Sequence, residues 1–194
     1  MKIRNGFVSN SSSSSFILID SYGDTDPQLE ANFSVWVNEH IVYNKKLGQN
    51  VFAYVPTQEF GWQFEAYNEM WDKLDFMLLQ SRLTGKYDDG YAKHKTALLE
   101  FFQQYNSSIG KVCVLNKLYD EEYDYNEYMG YIDHQSVGGE NLDMMESVDS
   151  IRHWLFSPKS YILCGNDNDY RKWDLSGEEP KLVKDDSDDS YYPY

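Results

Sequence analysis

Aromatic and aliphatic residues recur at helical spacing over the middle of the chain. The spacing predicts an amphipathic helix that ends near Gly85 and carries a wide aromatic stripe. Successive members of the stripe are three or four residues apart: Phe60, Phe64, Tyr67, Trp71, Leu74 and Leu78. A second helix is predicted from Tyr91 to Asn106, and the short connection makes the two a helical hairpin. Such a stripe is typical of a buried core face.

Shorter patterns predict the other elements. Asp26 and Pro27 indicate a helix start, because aspartate favours the N-cap and proline the first turn, and the apolar face extends through Ile41. A short helix around Ile151 ends before Pro158. Strands are predicted where β-branched and aromatic residues cluster: 16–19, 51–55, 112–115, 129–132 and 161–164. Because helices and strands are segregated, we expect an α+β protein with a small mixed or antiparallel sheet packed against the helical hairpin.

The length of 194 residues predicts a single domain, which we assign to residues 1–184. The acidic segment 185–194 predicts a disordered tail. We expect the chain to be solvent-exposed from the residue after Pro180 onward. Residues 1–15 have two interpretations. Either an arm at Phe7 and Val8 leads through a serine-rich turn into the strand at 16–19, or the segment is a mobile leader.

Acidic residues outnumber basic residues by 32 to 17, which gives a net charge of −15. Such a surface repels nucleic acid and anionic membranes, and it favours basic proteins or metal cations as partners. No stretch approaches the ~20 apolar residues of a membrane span, and the run at 16–19 is too short for a signal peptide. We therefore expect the chain in the cytoplasm. Cys113 and Cys164 show no metal spacing and are interpreted as small buried hydrophobic residues.

The opening segment from Arg4 to Phe16 has the sequence RNGFVSNSSSSSF. It resembles the N-terminal signature of a group of uncharacterised bacteriophage and bacterial proteins whose members differ downstream. A later segment from Gly130 to Ser136, GYIDHQS, is also similar to segments of such proteins. The resemblance implies a phage-type origin, and hence the host cytoplasm, but it assigns no activity and no catalytic residue.

Small polar residues in the opening loop form a first candidate site, for an anion. They are Ser9, Asn10, Ser11, Ser12 and Ser13. Backbone N–H groups and hydroxyls of such a loop can converge on a phosphate. However, the loop lacks the glycines and lysine of a phosphate-binding loop. A structural turn, a mobile leader, or a modification or docking site would explain the same composition.

Four residues at two predicted strand ends form a second candidate site: Asp133, His134, Asp167 and Asp169. If the strands 129–132 and 161–164 are neighbours, the three carboxylates and the imidazole would suit Mg²⁺ or Mn²⁺ and support metal-assisted hydrolysis. No other cofactor is predicted. The alternative interpretation is turn chemistry, because Asp and Asn side chains bond their own backbone.

An acidic, tyrosine-rich segment forms a third candidate site, for a basic partner. Its members are Tyr119, Glu121, Tyr123, Asp124, Tyr125 and Tyr128. Interleaved carboxylates and phenols bind basic protein surfaces or imitate the charge of nucleic acid. The alternative is a solvated acidic edge that prevents strand-to-strand aggregation.

Together these patterns favour a non-enzymatic interaction protein, namely a phage-type accessory or host-takeover factor that binds a basic or nucleic-acid-binding host protein. A hypothesis of a different class is a metal-dependent hydrolase or nucleotide-handling enzyme built on the second candidate site. A third is a virion structural component, in which the aromatic helix face would be an assembly surface. The oligomeric state stays open.

Overall fold

The computed structural model describes residues 2–6, 14–20, 25–61, 63–84, 91–120, 125–132, 144–166, 171–177 and 179–184. The helices in these ranges are α1 (Pro27–Glu39), α2 (Met70–Thr84), α3 (Tyr91–Tyr105) and α4 (Val148–Phe156). The strands are β1 (Lys2–Gly6), β2 (Ser14–Asp20), β3 (Ile41–Asn44), β4 (Gln49–Tyr54), β5 (Ala66–Tyr67), β6 (Ile109–Val114), β7 (Lys117–Asp120), β8 (Tyr125–Tyr128), β9 (Tyr161–Asn166), β10 (Arg171–Asp174) and β11 (Lys181–Lys184). The predicted α+β class is confirmed.

The described strands form four separate sheets. An antiparallel sheet has the strand order β1-β2-β9-β5, and a mixed sheet has the order β3-β4-β6, with β4 and β6 parallel. The pairs β7-β8 and β10-β11 are antiparallel two-stranded hairpins. Helices α2 and α3 contact each other, and both contact β6, as expected for a helical pair on a small sheet.

Helix α1 begins where the local sequence predicts. The Asp26 carboxylate accepts hydrogen bonds from the backbone N–H groups of Gln28 (2.8 Å) and Leu29 (3.4 Å), and proline occupies the first turn. The predicted end of this helix is wrong. The helix stops at Glu39, and Ile41 begins strand β3 instead of extending the helical face.

The aromatic stripe is only partly helical. Helix α2 begins at Met70, whereas Phe60 forms an isolated parallel bridge with Ile132 and Tyr67 lies in β5. The prediction of a helix across Phe60 and Tyr67 is therefore wrong. The Phe60 ring still reaches the core, with its centroid 5.1 Å from that of Phe76. Pairing with distant strands has overridden the local helical spacing.

Three smaller predictions also need correction. Residues 129–132 do not form a regular strand, because β8 ends at Tyr128 and only Ile132 makes a bridge. Residues 181–184 form β11, which pairs with β10, so the chain is not a solvated tail directly after Pro180. The N-terminal strand that pairs with β2 is Lys2–Gly6. Residues 7–13, which include the predicted arm at Phe7 and Val8, lie outside the described residues, as does the tail 185–194.

Phe33 of α1 lies at the centre of an aromatic core. Its side chain is completely buried, and its ring centroid lies 5.2–6.2 Å from six other aromatic centroids. These rings belong to Trp36, Trp71, Phe101, Phe102, Tyr105 and Phe156. Phe33 therefore connects α1 to three other helices through one side chain.

Helix α2 is buried on all sides over residues 73–81. Lys73 connects this buried stretch to α4. The Lys73 ammonium donates to the Ser157 carbonyl (2.8 Å), just after α4, and the Trp154 indole N–H donates to the Lys73 carbonyl (3.3 Å).

Among the described residues, no helix combines the length and apolar character that a membrane crossing requires.

We expect the substitution Phe33→Ala to lower the free energy of unfolding by about 3–5 kcal/mol, because it removes a fully packed ring and leaves a cavity. Chemical denaturation monitored by tryptophan fluorescence measures this change. Val35→Ala, on the same helix, is the matched control, because Val35 is 63% exposed. That control should change stability by less than about 0.5 kcal/mol. Equal effects of the two substitutions would contradict the central position of Phe33.

Candidate functional site

A cleft of about 320 Å³ opens beside Phe60 and Gly61. Its other described lining residues comprise two carboxylates, two phenols and two amides: Glu59, Glu65, Tyr67, Tyr131, Gln58 and Gln63. We call it the acidic cleft. Carboxylates combined with aromatic rings are suited to a cationic group, because both attract positive charge.

Two chain segments that are distant in sequence form the sides of the acidic cleft. The backbone N–H of Phe60 donates to the Tyr131 carbonyl (2.8 Å), and the N–H of Gly130 donates to the Pro56 carbonyl (2.8 Å). The approach is so close that only glycine fits at position 130. A Cβ atom there would lie 2.1 Å from the Gln58 carbonyl oxygen.

A buried carboxylate of α2 fixes one of these segments. One oxygen of Asp75 accepts hydrogen bonds from the backbone N–H groups of Thr57 (2.8 Å) and Gln58 (2.9 Å). Asp75 is only 4% exposed, so these charge-assisted bonds lie away from competing water. The carboxylate therefore determines where the residues leading to Glu59 run.

Tyr67 of β5 and Glu65, just before β5, form another functional pair of the acidic cleft. The Tyr67 hydroxyl donates a short hydrogen bond to the Glu65 carboxylate. Burial and this hydrogen bond raise the pKa of the Tyr67 hydroxyl, so the phenol stays protonated at neutral pH. Glu65 itself is exposed and keeps acceptor capacity for a second donor.

Cys164 lies directly behind this pair, in β9. Its backbone N–H donates to the Glu65 carbonyl (2.8 Å), and its carbonyl accepts from the Trp173 indole N–H (2.9 Å). The side chain is 1% exposed, and burial raises the pKa of the thiol. Both cysteines are free thiols. The interpretation of Cys164 as a small buried residue is confirmed, whereas Cys113 is only half-buried.

The chain already places one of its own cations on an aromatic ring close to this region. The Arg171 guanidinium carbon lies 4.6 Å from the centroid of Phe64, the residue that precedes Glu65. The Trp173 ring contacts the same phenylalanine at a centroid distance of 6.3 Å. This cation–aromatic contact therefore lies next to the acidic cleft in sequence, although neither Arg171 nor Phe64 lines the cleft.

Further carboxylates lie near the start of α2 and add to the negative field around Glu65. Burial and the charges of Asp75, Glu69 and Glu65 raise the pKa of the Asp72 carboxyl, although Lys73 acts in the opposite direction. The negative charges are thus close enough for one carboxylate to resist ionisation. A cation placed here would relieve this repulsion.

The first two predicted sites lie outside the described residues: Ser9, Asn10, Ser11, Ser12 and Ser13 for the anion, and Asp133, His134, Asp167 and Asp169 for the metal. Both therefore stay predictions. The strand adjacency on which the metal site depended is not found in the described ranges, since β9 pairs with β2 and β5 while Ile132 bridges Phe60. The described residues contain no cluster of three metal-ligating side chains.

The third predicted site is partly described. Tyr119 lies in β7, and Tyr125 and Tyr128 lie in β8, which pairs with β7. Glu121, Tyr123 and Asp124 lie outside the described residues. The Tyr128 side chain is 64% exposed, close in sequence to the cleft residue Tyr131. The tyrosine-rich hairpin therefore leads directly into the acidic cleft.

Sequence analysis missed Glu59, Glu65 and Tyr131 as site residues and assigned Tyr67 to a helical core face. The available signal was Gly61, which interrupts the stripe next to Phe60 and argues against a helix there. The proximity of Tyr131 to Glu65 depends on long-range backbone pairing, for which one sequence carries no signal.

Comparison of the chain with protein-family models, with curated proteins and with solved structures gives no match.

We expect Gly130→Ala to force apart the two segments that flank the acidic cleft, because the added methyl overlaps the Gln58 carbonyl. The free energy of unfolding should fall by about 2–4 kcal/mol, as for other substitutions that introduce backbone strain. Gly177→Ala is the matched control, because the nearest atom to its added Cβ is at an ordinary 3.6 Å. Denaturant titrations of both variants measure the effect, and equally stable variants would contradict the close approach.

The opposite pKa shifts of Asp72 and Asp174 predict opposite pH effects. The raised pKa of Asp72 means that protonation stabilises the folded state, and this stability is lost as pH rises through the folded-state pKa. Relative to the wild type, Asp72→Asn should therefore gain stability between pH 3.5 and pH 7. The gain should be about a few tenths of a kcal/mol, because the carboxyl is half-exposed.

The Asp174 carboxyl accepts from the Ser176 N–H (2.9 Å), which lowers its pKa. Its stabilising contribution is present above the unfolded-state pKa and is lost as pH falls through the folded-state pKa. Asp174→Asn should consequently be less stable than the wild type above the ordinary aspartate pKa of about 3.9, and the difference should shrink as pH falls below that value. Unfolding free energies measured at several pH values test both signs, and parallel curves for the two variants would contradict the assignment.

Proposed function

We propose that this protein is a binding factor whose acidic cleft captures a lysine or arginine side chain of a basic protein partner. The observation that supports this proposal is the combination of Glu59, Glu65, Tyr67 and Tyr131 around one cleft of about 320 Å³. A cleft of this size accepts a single long side chain. Carboxylates supply the charge, and the tyrosine rings supply faces for its aliphatic stem and cationic head.

The charge of the whole chain adds a long-range contribution. With a net charge of −15, the protein attracts basic partners from a distance, and such steering raises the association rate more than the final affinity. The exposed Tyr128 and Tyr131 then provide amphipathic contact surface beside the cleft. Local recognition by the cleft and general attraction are therefore separate contributions that mutation can distinguish.

The protonation states next to the cleft favour binding over covalent chemistry. Burial raises the pKa values of both the Tyr67 hydroxyl and the Cys164 thiol, so both groups are neutral at physiological pH. A thiol or phenol becomes a nucleophile when its pKa is lowered, which is the opposite shift. The Tyr67 hydroxyl and the Cys164 backbone N–H instead hold Glu65 in place.

The opening segment from Arg4 to Phe16 supports a biological setting for this activity. Its resemblance to phage proteins leads us to propose a phage-type accessory or host-takeover factor that acts in the bacterial cytoplasm. In that setting the partner would be a basic host protein, such as one that itself binds nucleic acid. The net charge of −15 disfavours nucleic acid as a direct ligand of the acidic cleft.

The test uses labelled peptides of equal length that carry arginine, lysine or glutamate at the same positions, with binding followed by fluorescence anisotropy. We expect the arginine and lysine peptides to bind and the glutamate peptide not to bind. Glu65→Gln should raise the Kd for the arginine peptide about fivefold, which corresponds to about 1 kcal/mol for one exposed ion pair. Glutamine keeps an acceptor for the Tyr67 hydroxyl, so the fold is preserved.

Two control variants separate the cleft from the general field. Glu39→Gln removes the same charge from an exposed position at the end of α1 that does not line the cleft. Tyr131→Ala removes a phenol from the cleft. Its control is Tyr43→Ala, which removes an exposed phenol from β3. Equal weakening by Glu39→Gln and Glu65→Gln would show that only net charge matters, and it would overturn the proposal.

A further inference from the structure

A second and larger cleft, of about 440 Å³, lies between helix α3 and strand β6. Helix α3 ends at Tyr105, and the chain turns at once into β6, so helix and strand diverge from a common point. Strand β6 is the outer strand of the mixed sheet in the order β3-β4-β6 among the described strands. The space beside it is bounded by α3 and by the end of α2, which contributes Ser81.

The lining of this second cleft is largely aliphatic. Leu98 and Leu99 come from α3, and Val112 and Val114 come from β6. Leu98 is buried, whereas the other three are only half-buried and leave apolar surface toward the cleft. Covering such surface is favourable at roughly 25 cal/mol per Å². A volume of this size falls in the range of small-molecule sites, roughly 300–1,000 Å³.

Two lysines accompany the aliphatic lining. Lys95 of α3 and Lys111 of β6 are both exposed and both border the second cleft. No carboxylate belongs to the described residues that line it. This described lining is unlike the whole chain, in which acidic residues outnumber basic ones by 32 to 17. The described lining of the acidic cleft has carboxylates and that of the second cleft has lysines.

We propose that the second cleft binds a small amphiphilic anion, in which a carboxylate meets Lys95 and Lys111 and a hydrocarbon tail covers Leu99, Val112 and Val114. The head group is assigned from charge complementarity, because the ammonium groups of Lys95 and Lys111 both border the cleft. The aliphatic lining determines the tail. This site is independent of the acidic cleft, and it would be occupied whether or not that cleft binds a basic partner.

Octanoate, octanol and acetate are the probes that test this proposal, because they separate the head group from the tail. Isothermal titration calorimetry should show saturable one-to-one binding of octanoate and much weaker binding of octanol and acetate. In ¹H–¹⁵N spectra, octanoate should shift the amide signals of Gly110 and Lys111. Saturable binding that shifts signals elsewhere and leaves these two unchanged would overturn the proposal, as would the absence of saturable binding.

Lysine variants test the head-group contact. Each of Lys95→Gln and Lys111→Gln should weaken octanoate binding about threefold to fivefold, as expected for exposed ion pairs. Lys46→Gln is the matched control, because it removes the same charge from an exposed position in the turn between β3 and β4. If all three variants weaken binding equally, Lys95 and Lys111 do not contact the carboxylate of octanoate, and the proposal is overturned.

Substitutions that fill the second cleft test its contact with the hydrocarbon tail of octanoate. Leu99→Trp adds a large ring to the lining and should abolish octanoate binding while the thermal unfolding transition is retained. Val112→Phe fills the opposite side and provides a second variant if the first one does not fold. Glu65→Gln should leave octanoate binding unchanged, because it alters only the acidic cleft. Full octanoate affinity in a folded, filled variant would overturn the proposal.

Discussion

Helix α2 buries nine consecutive residues, and two of them, Lys73 and Asp75, carry charged side chains that need partners inside the protein. An unpaired buried charge costs several kcal/mol, so these partners are obligatory and not optional. Lys73 reaches the carbonyl that follows α4, and Asp75 reaches the two N–H groups that precede Glu59. One buried helix thus fixes the position of both the small helix α4 and the chain that borders the acidic cleft.

The range of an interaction along the chain explains which parts of the structure could be predicted from the sequence. Asp26 and Pro27 form a local start signal, and α1 begins there because the interactions involve neighbours in sequence. The helical spacing of Phe60 and Tyr67 was misleading, because their backbones pair with Ile132 and β9, which are distant in sequence. Local chemistry predicted the start of α1, whereas long-range pairing decided where α2 begins.

The acidic cleft belongs to the class of features that single-sequence reasoning cannot locate. Its members come from a loop, from the two-residue strand β5 and from the segment after β8. Tyr128 could be selected from its acidic, aromatic surroundings, because composition is a local property. Glu65 and Tyr131 could not, since each is unremarkable in its own segment. Backbone bonds with distant segments bring them to one cleft, from Cys164 to Glu65 and from Phe60 to Tyr131.

The division of the described strands into four small sheets also has a consequence for motion. A hairpin of two strands is marginally stable by itself, and β7-β8 and β10-β11 each consist of two strands only. Their backbone amides should exchange with solvent deuterium through local opening, long before the amides of α2, which require global unfolding. If the proposed partner binds, the tyrosine-rich hairpin can therefore rearrange while the buried helix α2 keeps its position.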